Sequence, residues 1–251
     1  MKLLVLVIGI GFCGSACAQP DSAYVAAKPF LSIREKPAVG AKVIDKIPYG
    51  TRILPQELSE TVPGIRVEGM LGYWKKVMYN NHTGYIIDAY LLPVPPPTPD
   101  IKDMKSYLTT FTRPFGEMLV TKSKPGPEED SPGWELHKQL YSNGAERHEF
   151  IGYEYGSNTY FLPELTMQQA FLILRSIPEF EQVLTSKSEF PLQNKKLKKG
   201  DITYDIKVDK EIFSTEPWVK HITIEFEEGA IYSFELYQLN NQIVIFYGAG
   251  V

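Results

Sequence analysis

Four prolines fall within the six residues Val94-Pro95-Pro96-Pro97-Thr98-Pro99, and neither a helix nor a sheet ladder runs easily through such a stretch. Proline lacks a backbone donor and fixes φ, so consecutive prolines favour an extended polyproline II path. The run at 94–99 therefore reads as a semi-rigid spacer and the clearest boundary in the chain. At 251 residues the whole is long enough for two modest domains, each with its own core.

The first residues read as a processing signal. Lys2 supplies a positive start, Leu3 to Ile10 form an apolar run too short to span a bilayer, and small residues follow. Two cleavage readings stay open. Ala16-Cys17-Ala18 before Gln19 fits a signal-peptidase site and predicts a soluble exported protein with residues 1–18 removed. Gly14-Ser15-Ala16-Cys17 resembles a lipoprotein box, with Cys17 as the acylated first residue and the only link to a membrane. Cys13 and Cys17 are the two cysteines of the chain. The remainder is thus expected to lack a disulfide, a thiol nucleophile and a cysteine-based metal site. A net charge of −4 gives no reason to expect nucleic acid as a partner.

Between the signal and the prolines, the stretch Gly72 to Leu92 organises the rest. Trp74, Lys76 and Met78 alternate with Lys75, Val77 and Tyr79, which is the period of a strand. Asn80-Asn81-His82-Thr83-Gly84 supplies turn chemistry, and Tyr85-Ile86-Ile87 restarts the strand. Before it come Leu31-Ser32-Ile33-Arg34-Glu35-Lys36-Pro37 and Val43-Ile44 through Ile47 to Gly50-Thr51. This ordered series, closed by Gly84-Tyr85-Ile86 and Tyr90-Leu91, is similar to the bacterial SH3-type domain over residues 23–93.

The resemblance implies an all-β SH3-like barrel that binds peptidoglycan or a cell-wall peptide. Val43, Ile44, Ile47, Val77 and Ile86 are expected to fill the barrel. Tyr73, Trp74, Tyr90 and Arg34 are the candidate ligand-binding residues. Trp74 is equally a core candidate, and Arg34 reads first as a brace for a loop through carbonyls or a carboxylate and second as a ligand contact. The segment Leu54 to Leu71 is longer than the usual connection in that family, and long loops on small barrels often carry function. The proline run could serve as an SH3 ligand in cis, but bacterial SH3-type domains are not chiefly polyproline readers, so the spacer reading is preferred.

Residues 100–251 read as an α+β domain, an antiparallel sheet with two helices to cover one face. Thr98 and Pro99 are expected to start a helix carrying Ile101, Met104, Leu108 and Phe111, and Thr166 with Gln169 to form a capping box for a second. An Asn143-Gly144 two-residue turn would pair Trp134 with Tyr153, Leu136 with Ile151 and Lys138 with Glu149. A meander follows, with turns at Glu228-Gly229 and Asn240-Asn241.

Chemistry is sparsely signalled. That hairpin register places His137 and His148 diagonally on one face, but no third metal ligand is evident, and His82 and His221 stand apart. No catalytic residue, metal ligand or cofactor is expected. Glu128-Glu129-Asp130 reads as solvated, as does the basic loop Lys195-Lys196-Leu197-Lys198-Lys199. The expectation is an exported, non-catalytic envelope protein whose partner is peptidoglycan, a wall peptide or an envelope protein. The alternative is a protein-interaction or inhibitor module in which the barrel is structural. A hydrolase would need two facing carboxylates in a deep pocket.

Overall fold

The computed structural model describes residues 22–124, 133–211 and 218–251. The expected signal at 1–18, with Cys13 and Cys17, and the acidic run Glu128 to Asp130 lie outside the described residues. The fold is mostly β, with antiparallel sheets and two short α-helices among the described residues.

The front unit contains β1 (Ala23–Val25), β2 (Phe30–Arg34), β3 (Val43–Pro48), β4 (Arg52–Ile53), β5 (Ile65–Val67), β6 (Met70–Gly72), β7 (Trp74–Tyr79), β8 (His82–Ile87) and β9 (Leu91–Leu92). They form three sheets, ordered β4-β1-β9, β3-β2-β8-β7 and β5-β6, none of which closes on itself. Ile47, Val77 and Ile86 are buried together as expected, joined by Leu31 and Ile33, while Ile44 is only partly buried against them.

Val43 is not buried; it is 39% exposed. The register shifts between Ile33 and Arg34, so Ile33 pairs with Asp45 while Arg34 pairs with Val43. Ile44 is thus the extra residue of a bulge, which reverses the facing of what precedes it and turns Val43 outward beside Arg34. The turn between β7 and β8 is only Asn80-Asn81, at φ 48° and 62°, and His82, Thr83 and Gly84 already belong to the strand. Gly84 is required by proximity, since a Cβ there would lie 2.5 Å from Ile33 and 2.6 Å from the Arg34 carbonyl oxygen.

The rear unit runs α1 (Met104–Leu108), β10 (Pro114–Lys122), β11 (Glu135–Tyr141), β12 (Glu146–Ile151), β13 (Tyr155–Pro163), α2 (Met167–Leu174), β14 (Lys195–Lys199), β15 (Ile202–Glu211), β16 (Trp218–Glu227), β17 (Ile231–Leu239) and β18 (Gln242–Gly250). All nine strands join one sheet, ordered β10-β11-β12-β13-β18-β17-β16-β15-β14. Alternation along the strands sends Tyr160, Leu236, Ile243, Ile245, Ile222 and Phe226 to one face, where they are buried. Phe180, from a 3₁₀ turn after α2, meets Phe234 edge-on at 6.0 Å on that face. Thr166 and Gln169 form the expected capping box, and Ala170, Phe171, Leu174 and Ile177 are buried.

Three expectations for the rear unit are corrected. The first helix begins later than Thr98: Asp103 is its cap, accepting from Ser106 N at 2.7 Å, because a carboxylate beside the first turn outcompetes a hydroxyl five residues earlier. The lysine-rich segment is a strand, β14, exposed along its length at a sheet edge, where lysines oppose further pairing. The hairpin of β11 and β12 is shifted by one residue. Tyr141 N donates to Ala145 O at 2.9 Å, so the loop is Ser142-Asn143-Gly144, with only Gly144 at positive φ (82°).

That is a type I turn with a glycine bulge rather than a two-residue turn. Leu136 therefore pairs with Phe150, His137 with Glu149 and Lys138 with His148. Trp134 stacks on Phe150 at 5.8 Å instead of facing Tyr153. Since one residue of slip reverses a strand's facing, His137 and His148 point to opposite faces of the sheet.

The proline run is packed rather than free. Pro96 and Pro97 are buried, Tyr49 donates its hydroxyl proton to Pro97 O at 2.8 Å, and Tyr107 does the same to Pro95 O at 2.7 Å. Buried side chains of both units belong to one contiguous core.

Candidate functional site

The long segment expected at Leu54 to Leu71 contains the hairpin β5–β6, which reaches across to the rear unit. Its turn is Glu68-Gly69, both at positive φ (50° and 79°). Glu68 O accepts from Phe190 N at 2.9 Å, and a Cβ on Gly69 would lie 2.2 Å from Phe190 O. The Glu68 carboxylate pairs with Arg175 at 2.5 Å. Side chains alternate along β5, so Ile65 and Val67 face one cleft while Arg66 and its partner Leu71 face another.

The first cleft, about 340 Å³, gathers Arg34, Trp74 and Tyr90 from the front unit with Lys28, Glu68 and Arg175. Trp74 is 6% exposed, so it contributes an edge to the wall and the rest to the core. Arg34 braces the loop between β2 and β3, donating to Ala41 O at 2.7 Å, and also lines the cleft. Arg175 caps the C-terminal end of α2, where a cation is favoured by the helix dipole. It lies over the Phe171 ring at 5.8 Å and donates to Ser188 O at 3.2 Å. Burial, with the Glu68 carboxylate adding to it, pushes the Tyr90 phenol up to about 12, so it stays a hydrogen-bond donor at neutral pH. Lys28 lines the cleft with its ammonium 4.9 Å from the centre of the Tyr49 ring. Partial burial and the nearby Arg175 charge lower its pKa.

The second cleft, about 560 Å³, holds Tyr73 and Asp88 opposite Gln168, Trp218 and Gln238. Asp88 accepts from Tyr73 N at 2.7 Å and lies 3.6 Å from Lys75, and burial raises its pKa. Tyr73 is therefore separated from the other three candidates by the β5–β6 hairpin. Lys28, Glu68 and Arg175 carried no functional reading in the sequence. Only the position of Arg175 at the end of an apolar helix could have drawn notice.

Every histidine is paired with a carboxylate: His82 with Asp45 at 3.0 Å, His137 with Glu135 at 2.9 Å, His148 with Glu146 at 3.0 Å and His221 with Glu235 at 2.8 Å. Among the described residues no group of three or more metal-ligating side chains occurs. Glu149 and Glu179 line a broad hollow with Tyr232 and Tyr247. Glu179 already has a structural task, accepting from Met104 N at the start of α1 at 2.7 Å, and burial raises its pKa. Glu149 is held by Arg147 at 3.0 Å.

No helix among the described residues is long and apolar enough to cross a membrane. In comparison with known proteins, the chain matches no family model and no curated sequence.

Proposed function

We propose that this is an exported, non-catalytic cell-envelope protein whose front unit, an SH3-like fold over residues 23–93, binds peptidoglycan or a wall peptide in the first cleft. One observation carries the reading. Arg34, Trp74 and Tyr90, named from the sequence pattern alone, line the same cleft although up to 56 positions separate them (Arg34 to Tyr90). Pockets of a few hundred Å³ with aromatic walls and a few convergent polar groups suit a small ligand or a peptide end. The test is retention of the whole chain from residue 19 onward on purified cell-wall sacculi. Retention weakened by Tyr90→Ala supports the reading; passage of the intact protein through the sacculi unretained overturns it.

A second reading has its own observation. Among the described residues β10 pairs only with β11 and is exposed along its length, with Phe115 66% and Leu119 64% exposed. Beyond the irregularity between Phe115 and Leu119, the apolar stretch Leu119-Val120 of this edge suits strand addition by an envelope protein. Co-purification of one stoichiometric protein, lost in Leu119→Lys, would favour this interaction module over the wall binder.

A further inference from the structure

We propose that the first cleft is a carboxylate site built jointly by both units, in which Lys28 and Arg175 receive the acidic end of a peptide. The inference rests on the wall-peptide reading above and names the chemistry that the site selects.

Three cationic side chains, Lys28, Arg34 and Arg175, line the cleft against one carboxylate, Glu68, on a chain whose net charge is −4. Among the described residues, neither Lys28 nor Arg34 has a carboxylate partner: Lys28 has the Tyr49 ring and Arg34 the Ala41 carbonyl. Burial and the nearby Arg175 charge lower the pKa of Lys28, and an anion received between Lys28 and Arg175 relieves that cost.

The cleft already holds a carboxylate. Glu68 sits on Arg175 at 2.5 Å, with its own side chain 44% exposed while that of Arg175 is 9% exposed. The guanidinium is thus the buried receptor, and Glu68 is the solvent-facing member of the pair. An incoming carboxylate would lie beside Glu68 or displace it toward solvent, with Lys28 completing the charge balance. The protonated Tyr90 hydroxyl offers a further donor. Ile65, Val67 and Trp74 form an apolar wall next to these charges, which suits a carboxylate carried on an amino acid side chain or terminus rather than a bare inorganic anion.

The experiment measures retention of the chain from residue 19 onward on sacculi before and after their carboxyl groups are converted to methylamides. Retention on untreated sacculi should fall about tenfold on amidated ones and by a similar factor in Lys28→Met, the loss of one charge-assisted contact. Lys28→Arg should restore it. Lys28 is exposed overall, so an unchanged melting temperature in Lys28→Met checks that the fold is intact. Equal retention on amidated sacculi, or an unaffected Lys28→Met, overturns the carboxylate site while leaving wall binding in place. Absence of retention on untreated sacculi overturns both.

Discussion

The turn joining β7 to β8 has two residues, Asn80 and Asn81, both at positive φ, whereas the turn joining β11 to β12 has three, of which only Gly144 is at positive φ. Both turns pair Asn with a residue that tolerates a left-handed backbone. The extra residue in the second changes which side chains can meet. In the front hairpin Trp74 faces Ile87 and Val77 faces Gly84, so the strand can lie close on β2. In the rear hairpin Arg147, opposite Tyr160 on β13, faces inward beside Asn158 at 3.1 Å, and its buried Nε has no hydrogen-bond partner among the described residues. Turn length, more than turn composition, decides what a hairpin buries.

Alanine at the two glycines would test this contrast most strongly. At Gly84 the added methyl meets Ile33 and the Arg34 carbonyl, and the strand must move; we expect a loss of about 3 kcal/mol in urea unfolding. At Gly144 the space is open, with Pro163 at 3.9 Å, and only the positive φ is strained, so Gly144→Ala should cost about 1 kcal/mol. Equal losses at both sites would mean that crowding at Gly84 is relieved by relaxation.

A smaller effect is expected from Asn81→Gly. Asn-Gly is the best pair for a two-residue turn of this type, so the variant should gain about 0.5 kcal/mol. The matching change Asn143→Gly should gain nothing, since Asn143 is not at positive φ and its side chain accepts from Ala145 N at 3.2 Å. A gain at Asn143 would contradict the three-residue turn.

The smallest effects concern acid. The Lys46 N–H and His82 hold Asp45 below the usual carboxylate range, and Lys122 and His137 do the same for Glu135. A carboxylate with a lowered folded pKa contributes stability above its unfolded value, and that contribution is lost as pH falls through the folded value. Asp45→Asn and Glu135→Gln should therefore lower the melting temperature slightly at pH 7 and converge with the parent as pH falls below the ordinary carboxylate values of 3.8 and 4.5, which flattens the acid side of the curve. Variants whose melting temperatures match the parent at pH 7 and fall in acid as steeply as the parent would remove both pairs from the account.

Elements specified within a few residues were legible in the sequence. The capping box of α2 needs only Thr166 and Gln169, and the β15 to β18 meander follows from alternation between turns. Choices between near-equal local options were not. Asn143-Gly144 fits loops of either length, and Thr98 and Asp103 both suit a helix cap. β14 shows no apolar alternation because it lies at an edge, so its lysines read as a loop. In the cleft, Arg34, Trp74 and Tyr90 were legible because they sit in or beside recognisable strands. Glu68 and Arg175 stand 107 positions apart, and no local pattern announces that they meet.

Polyproline offers carbonyl oxygens without reciprocal N–H groups, and two otherwise enclosed phenols take up that surplus at Pro95 and Pro97. A gene cut there to express the halves would strand Tyr107 in one fragment and Tyr49 in the other with its acceptor at the very terminus. Lengthening the run with glycine and serine would do comparable harm by sliding those oxygens out of reach. Such dissected fragments would report the loss of this lock rather than the properties of either half.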